Sequence, residues 1–210
     1  MKLPKIPVVL ATAVTIAATM VVTPTASAIQ VRPSGENCTI TITEREHKII
    51  ELAMANAVEK DLLAQAPSSA KAIRNYFSSV REAINNPSNT MMARAQLRLL
   101  ELIGSGLTQE QLGMANLVSF YQEDGYGKTI TMTSENAAQQ IEYGLGGYWL
   151  YAAAPETYPN ADSVLTSVNA TTTSAVQACA DGTDTNVELE VRAQLGGGSA
   201  GSSGFSLGSS

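Results

Sequence analysis

The chain has 210 residues and a formal net charge of −6, and hydrophobic residue types make up 44% of it. This length suits a single domain with a core that can stand alone, and the acidic balance disfavours nucleic acid and anionic membranes as partners. With one histidine and two cysteines, the chain cannot supply the four nitrogen and sulfur ligands of a structural zinc site.

Residues 1–28 have the pattern of a secretory signal peptide. Two lysines precede an uncharged apolar run over residues 8–22, and the sequence Ala-Ser-Ala at 26–28 supplies the small residues of a cleavage site. The apolar run is shorter than the about 20 residues that a transmembrane helix needs. We therefore expect cleavage after Ala28, a secreted, extracytoplasmic location, and no membrane span in the mature chain.

Cys38 and Cys179 are the only two cysteines. In an exported protein, an even pair predicts a disulfide. Closing so long a loop would stabilise the fold by at most about 4–5 kcal/mol in the chain-entropy model. We expect a Cys38–Cys179 disulfide, and two free thiols are the alternative.

The folded part is expected to begin with extended segments and to continue mostly as helices. A polar N-terminal arm over residues 29–37 precedes CTITIT, residues 38–43, whose alternation of threonine with isoleucine predicts a short, half-buried strand. A capping box at residues 43–46 predicts the start of the first helix, which should end before Pro67.

Two further helices are predicted from apolar residues that recur every three or four positions. The second should follow a serine cap at Ser68 or Ser69, and the third should cover residues 89–103. The third helix has a broad leucine-rich face, so we expect burial on more than one side. Gly104 stands where a left-handed C-cap would end it.

The second half of the chain continues this pattern. A capping box at residues 108–111 predicts a fourth helix, residues 127–133 look extended, and a fifth helix should cover residues 133–154. A sixth helix from Ala161 should bring Cys179 to its buried face. Threonines lower the helix propensity of this last segment, so packing must stabilise it.

These elements predict a mainly α-helical fold, a compact bundle of five to seven helices closed by one disulfide. Two or three very short strands could accompany the helices, one of them at residues 187–191, where apolar and charged residues alternate. The predicted organisation is a cleaved signal peptide (1–28), a polar arm (29–37), a single helical domain (38–195) and a disordered Gly/Ser tail (196–210).

Residues 133–154 gather the only tryptophan and three of the seven tyrosines. A continuous helix would contain three glycines, at a cost of roughly 3 kcal/mol relative to alanine. A break at residues 144–147 would instead form a concave elbow lined by Tyr148, Trp149 and Tyr151, suited to stacking a sugar, a haem or an acyl chain. We expect core packing on one face of this segment and ligand binding at these three aromatic residues.

Hydrolytic chemistry has only weak candidates in the sequence. His47 is the sole histidine, and because glutamates surround it in a first helical turn, we expect a solvated surface residue and not a catalytic base. A pair of carboxylates is the other option. Glu142 is the candidate acid, since it lies close to Trp149 in sequence, and Glu123 or Asp124 could be its partner.

The favoured hypothesis is therefore a secreted, non-catalytic, extracytoplasmic or envelope-associated protein that binds a small ligand or an envelope component near its aromatic segment. The alternatives are a secreted glycan-acting hydrolase with paired carboxylates and a purely structural secreted domain. No cofactor is expected, and no metal site either. The loop at residues 122–133 has the glycine of a calcium-binding EF-hand loop, but only one acid at the positions that need oxygen ligands.

Overall fold

In a computed structural model of the chain, residues 28–116, 128–143, 156–189 and 191 are described. The helices are α1 (Glu44–Gln65), α2 (Ala70–Asn85), α3 (Asn89–Ile103), α4 (Gln109–Asn116), α5 (Ser134–Glu142) and α6 (Pro159–Ala180), with a 3₁₀ turn at Pro67–Ser69. The strands are β1 (Ala28–Ser34), β2 (Asn37–Ile42), β3 (Lys128–Thr133) and β4 (Thr185–Glu188). The prediction of a mainly helical fold is confirmed, although this part of the chain holds four strands and not two or three.

The four strands form one antiparallel sheet in the order β3-β2-β1-β4. β1 corrects the prediction of a polar arm at residues 29–37. Ile29 and Val31 are fully buried and alternate with Gln30 and Arg32, which is enough to cover one face of an interior strand. Gly35 then turns the chain into β2 with a φ of +63°, a backbone conformation that favours glycine.

Both predicted capping boxes begin helices. In the first, the backbone N–H of Thr43 donates to Oε2 of Glu46 at 3.2 Å, and α1 follows. In the second, the N–H of Thr108 donates to Oε1 of Gln111 at 3.0 Å, and the N–H of Gln111 donates back to Oγ1 of Thr108 at 3.2 Å. Each box satisfies first-turn amides that have no partner inside the helix.

The end of α3 differs from the prediction. Gly104 has a φ of −74° and is right-handed, so it is not the expected left-handed cap. The chain makes a further turn, in which the N–H of Ser105 donates to the carbonyl of Leu102 at 3.1 Å. The left-handed residue comes only at Gly106, with a φ of +87°.

The leucine-rich face of α3 is not buried on more than one side. α3 packs mainly against α2, so its inner residue Leu102 is fully buried. Three large apolar side chains face solvent, with 62% of Leu97, 64% of Leu100 and 51% of Ile103 exposed.

α6 joins two hydrophobic cores. Its N-terminal half packs against α1 in a core that also includes α2, and its C-terminal half packs against the sheet and α5. The predicted Cys38–Cys179 disulfide is present and joins β2 to the last turn of α6, with both cysteines fully buried. α6 therefore packs against both the sheet and the helical part of the chain.

Candidate functional site

The predicted aromatic site lies outside the described residues. Thr133 Oγ1 accepts a hydrogen bond from the N–H of Asn136 at 3.1 Å and begins α5, which covers the first part of the predicted fifth helix. Tyr148, Trp149 and Tyr151 follow in a segment that the structure does not describe. Ligand binding at these residues therefore stays a prediction.

The predicted carboxylate pair is described only in part. Glu142 is the last residue of α5 and is exposed, and the neighbouring Tyr143 is 72% exposed. Its two candidate partners, Glu123 and Asp124, fall outside the described ranges. The partial desolvation expected for a general acid is not provided by the described surroundings of Glu142.

His47 is buried, with 2% of its surface exposed, so the prediction of a surface histidine is wrong. The reason is its position on α1: it precedes Ile50 by three residues and Met54 by seven, and both are fully buried. Residues at these spacings share one helix face. The apolar spacing of α1 therefore predicts burial of His47, whereas the neighbouring glutamates favour a surface position.

The burial of His47 sets its charge. Burial and the positive charge of Lys128 lower the pKa of His47 to about 4, so the imidazole is neutral at pH 7. Its Nδ1 lies 3.9 Å from Oε1 of Glu51, which is 1% exposed. We assign this pair to the interior of the fold, because so little of either side chain reaches solvent.

A second buried acid, Asp61 of α1, positions α6. Its carboxylate accepts hydrogen bonds from the N–H of Asn160 at 3.1 Å and from the N–H of Ala161 at 2.9 Å, and also from the Asn160 side chain. These are first-turn amides of α6, whose own N-cap residue, Tyr158, provides no side-chain cap. Asp61 therefore does from another helix what an N-cap side chain does locally.

The groove between α6 and β4 is the candidate functional site. Its volume is about 690 Å³. We call it the α6–β4 groove, and its described lining residues are Asp162, Ser163, Thr166, Ser167, Ala170, Thr171, Ser174, Val187 and Glu188.

Hydroxyl groups line the α6 side of this groove, and three of them donate hydrogen bonds to backbone carbonyls of α6. Ser167, Thr171 and Ser174 donate to carbonyls one turn earlier in α6, at 3.1, 2.9 and 2.9 Å. Each hydroxyl oxygen keeps acceptor capacity after donating its single proton. The groove therefore presents mainly hydrogen-bond acceptors along α6.

Two exposed carboxylates complete the described lining, Asp162 in the first turn of α6 and Glu188 at the end of β4. The described lining contains no lysine, arginine or histidine. Its electrostatic character is therefore negative.

The groove could have been found from the serine and threonine spacing of α6. Ser163, Ser167 and Thr171 follow one another at four-residue steps, as do Thr166, Ala170 and Ser174, and such steps place residues in rows on one helix face. The threonines of α6 also indicate low helix propensity. The position of β4 beside this face could not be predicted from spacing.

Two further properties bear on function. In the part of the chain that the structure describes, no group of three His, Cys, Asp or Glu side chains is placed to hold a metal ion. None of the described helices is long and apolar enough to cross a membrane.

Comparisons with known proteins give no identity to build on. No protein-family model, no curated protein and no solved structure matches the chain.

Proposed function

We propose that the protein is a non-catalytic binding protein that acts outside the cytoplasm, and that the α6–β4 groove binds a short, extended, positively charged peptide segment. The observation that carries this proposal is the chemistry of the groove. Its described lining combines acceptor oxygens with two carboxylates and contains no basic side chain. Ammonium, guanidinium and backbone N–H groups are the donors that such a lining favours.

The dimensions of the groove support a segment of a few residues. From Asp162 to Ser174, α6 is about 18 Å long at 1.5 Å per residue. An extended peptide rises by about 3.3 Å per residue, so about five residues would follow the groove from end to end.

The edge of the sheet supports an extended conformation for the ligand. β4 is the outermost strand on its side, and no other described strand pairs with its outer edge. Unpaired N–H and C=O groups on an edge strand can accept a peptide as an added strand. Main-chain pairing would supply affinity there, and the carboxylates would select positive charge.

The hydrogen bonds that the groove hydroxyls donate are evidence against nucleophilic catalysis in the groove. A serine or threonine nucleophile needs an adjacent general base, whereas Ser167 and Thr171 donate to helix carbonyls. The sole histidine, His47, lies on α1 and is not part of the described lining. Action outside the cytoplasm rests on the predicted leader and is supported by the disulfide, which suits an oxidising compartment.

Isothermal titration calorimetry with two peptides tests the proposal. A capped six-residue peptide of alternating lysine and threonine should bind the processed protein, and its glutamate counterpart should not. Binding should weaken as salt is raised from about 50 to about 200 mM, because screening affects exposed charges. Equal binding of the two peptides, or binding of neither, would show that the groove does not recognise positive charge.

Matched variants locate the binding to the groove. Asp162→Asn and Glu188→Gln should each weaken binding of the lysine peptide about two- to fivefold, as expected for exposed ion pairs. Asp181→Asn is the control, because Asp181 is an exposed acid at the opposite end of α6 and outside the described lining. A weakening by all three variants alike would indicate a general charge effect.

The aromatic segment and the hydrolase alternative need separate measurements. Emission of Trp149, the only tryptophan, should be quenched by iodide and respond to ligand if that segment forms a binding surface. A buried, unquenched indole would favour core packing. Release of cleaved glycan from cell-wall material, abolished by Glu142→Gln, would replace the binding proposal with the hydrolase alternative.

A further inference from the structure

α3 carries an apolar strip on the side away from α2. We call it the outer strip, and it consists of Ala93, Gln96, Leu97, Leu100 and Ile103, all exposed. None of these residues is charged. Single exposed leucines are ordinary in soluble proteins, but three large apolar side chains on one helix face form a continuous patch, and such patches mark interaction sites.

The spacing of the strip is that of a coiled-coil seam. Ala93, Leu97, Leu100 and Gly104 are separated by steps of four, three and four residues, which is the alternation of the a and d positions of a heptad. The two leucines lie at the centre of this seam, and the small residues Ala93 and Gly104 lie at its two ends. A second helix could therefore pack along this seam.

The charges beside the seam specify the orientation of that second helix. Arg94 and Glu101 are one heptad apart on the same edge of the seam, whereas the other edge carries the uncharged Gln96 and Ile103. If a second α3 runs antiparallel, the charged edges of both helices meet. Arg94 of each copy then lies near Glu101 of the other, and both contacts are attractive.

We infer that the outer strip of α3 is the contact surface for a second copy of this chain, in an antiparallel, two-fold symmetric pair of α3 helices. Leu97 of one copy packs against Leu100 of the other, and Ala93 packs against Gly104. A two-fold axis makes each contact occur twice, so one helix supplies both the complementary shapes and the complementary charges. The same seam in a parallel pair would place the charged edge against uncharged residues.

Existing ion pairs do not block this arrangement. Arg94 contacts Glu82 of α2 at 3.1 Å and Arg98 contacts Glu101 at 2.6 Å, with each of these side chains about 40–50% exposed. Exposed pairs of this kind contribute little to stability, so their partners can be shared with a second copy. A seam of about two heptads buries less area than a stable dimer usually does, so the pair should form reversibly at high protein concentration.

Analytical ultracentrifugation of the processed protein, expressed with its own N-terminal segment, tests the inference. Between about 10 µM and 1 mM the average mass should rise toward twice the monomer mass, and Leu100→Lys should raise the dissociation constant at least about tenfold. Tyr143→Lys is the matched control, because Tyr143 is 72% exposed on a different helix end and its replacement should leave association unchanged. A monomeric mass over the whole range would overturn the inference, as would equal effects of both variants.

Charge reversal distinguishes the antiparallel pair from other arrangements. Arg94→Glu and Glu101→Arg should each weaken association about tenfold, since symmetry introduces two repulsive contacts. The double variant should restore association. Glu82→Gln, which removes only the contact within the chain, should not weaken it. Failure of the double variant to recover would exclude the antiparallel seam, provided that all variants keep the melting temperature of the parent to within a few degrees.

Discussion

Replacement of Asp61 by asparagine should destabilise the protein far more than replacement of any exposed acid. Asp61 is 3% exposed, and its carboxylate accepts from two first-turn amides of α6 and from the side chain of Asn160. Asparagine keeps the size of the side chain but presents one acceptor oxygen and an N–H₂ group that faces other donors. The negative charge at the start of α6 is lost as well.

The size of the effect follows from these contacts. Loss of an N-cap interaction costs about 0.5–2 kcal/mol, and loss of a favourable charge at a partly buried helix terminus costs about 0.3–2 kcal/mol. We therefore expect Asp61→Asn to lower the free energy of unfolding by about 2–3 kcal/mol. For a chain of this length, that corresponds to a fall in melting temperature of roughly 4–12 °C.

Urea unfolding followed by circular dichroism measures the change. The midpoint should fall while the slope stays constant, because the surface exposed on unfolding is unchanged. Asp162→Asn is the control, since Asp162 lies in the first turn of the same helix but is exposed, and its loss should cost no more than about 0.5 kcal/mol. If the two variants are equally stable, the cap from α1 contributes nothing and the reasoning is wrong.

Variants at three further features are tested by the same unfolding assay. Cys38→Ser/Cys179→Ser opens a loop of 141 residues and should cost about 3–5 kcal/mol in the chain-entropy model; a loss below about 1 kcal/mol would contradict it. With the pKa of His47 lowered by burial to about 4, the unfolded chain takes up a proton between pH 6.5 and 4 that the folded chain does not. The free energy of unfolding of the parent should therefore fall by about 2–3 kcal/mol between pH 7 and pH 4.5 through this residue, and that of His47→Gln should fall by correspondingly less. Identical dependence of stability on pH in the two proteins would refute this. Gly106→Ala places a side chain at a φ of +87° and should cost about 1–2 kcal/mol, whereas Gly104→Ala, at −74°, should be neutral or stabilising by up to about 1 kcal/mol. The reverse order would show that the left-handed turn is placed wrongly.

Local signals in the sequence predicted most helices well. The capping boxes at Thr43 and Thr108, the breaker Pro67 and the apolar spacing of α2 and α3 each act within a few residues. The disulfide was also predictable, because the chain has two cysteines and they leave one pairing. These features depend on residues that are close in sequence or on the number of cysteines.

The errors concern partners from distant parts of the chain. The sequence of β1 predicts a polar arm, because Ile29 and Val31 give only two alternating apolar positions, and their burial depends on pairing of β1 with both β2 and β4. The sequence neighbours of His47 predict a surface position, although its burial follows from the helix face that it shares with Ile50. The groove depends on β4 lying beside α6, which no local pattern specifies.

The position of α6 between the two cores predicts how the protein unfolds locally. Because its N-terminal half belongs to the helical core and its C-terminal half to the core under the sheet, unfolding of α6 would remove packing from both cores. Amide hydrogen exchange in the centre of α6 should therefore report the same free energy as exchange in α1 and in β2. A ligand seated along α6 would then slow exchange in both cores together, so occupancy of the groove could be read at amides far from it.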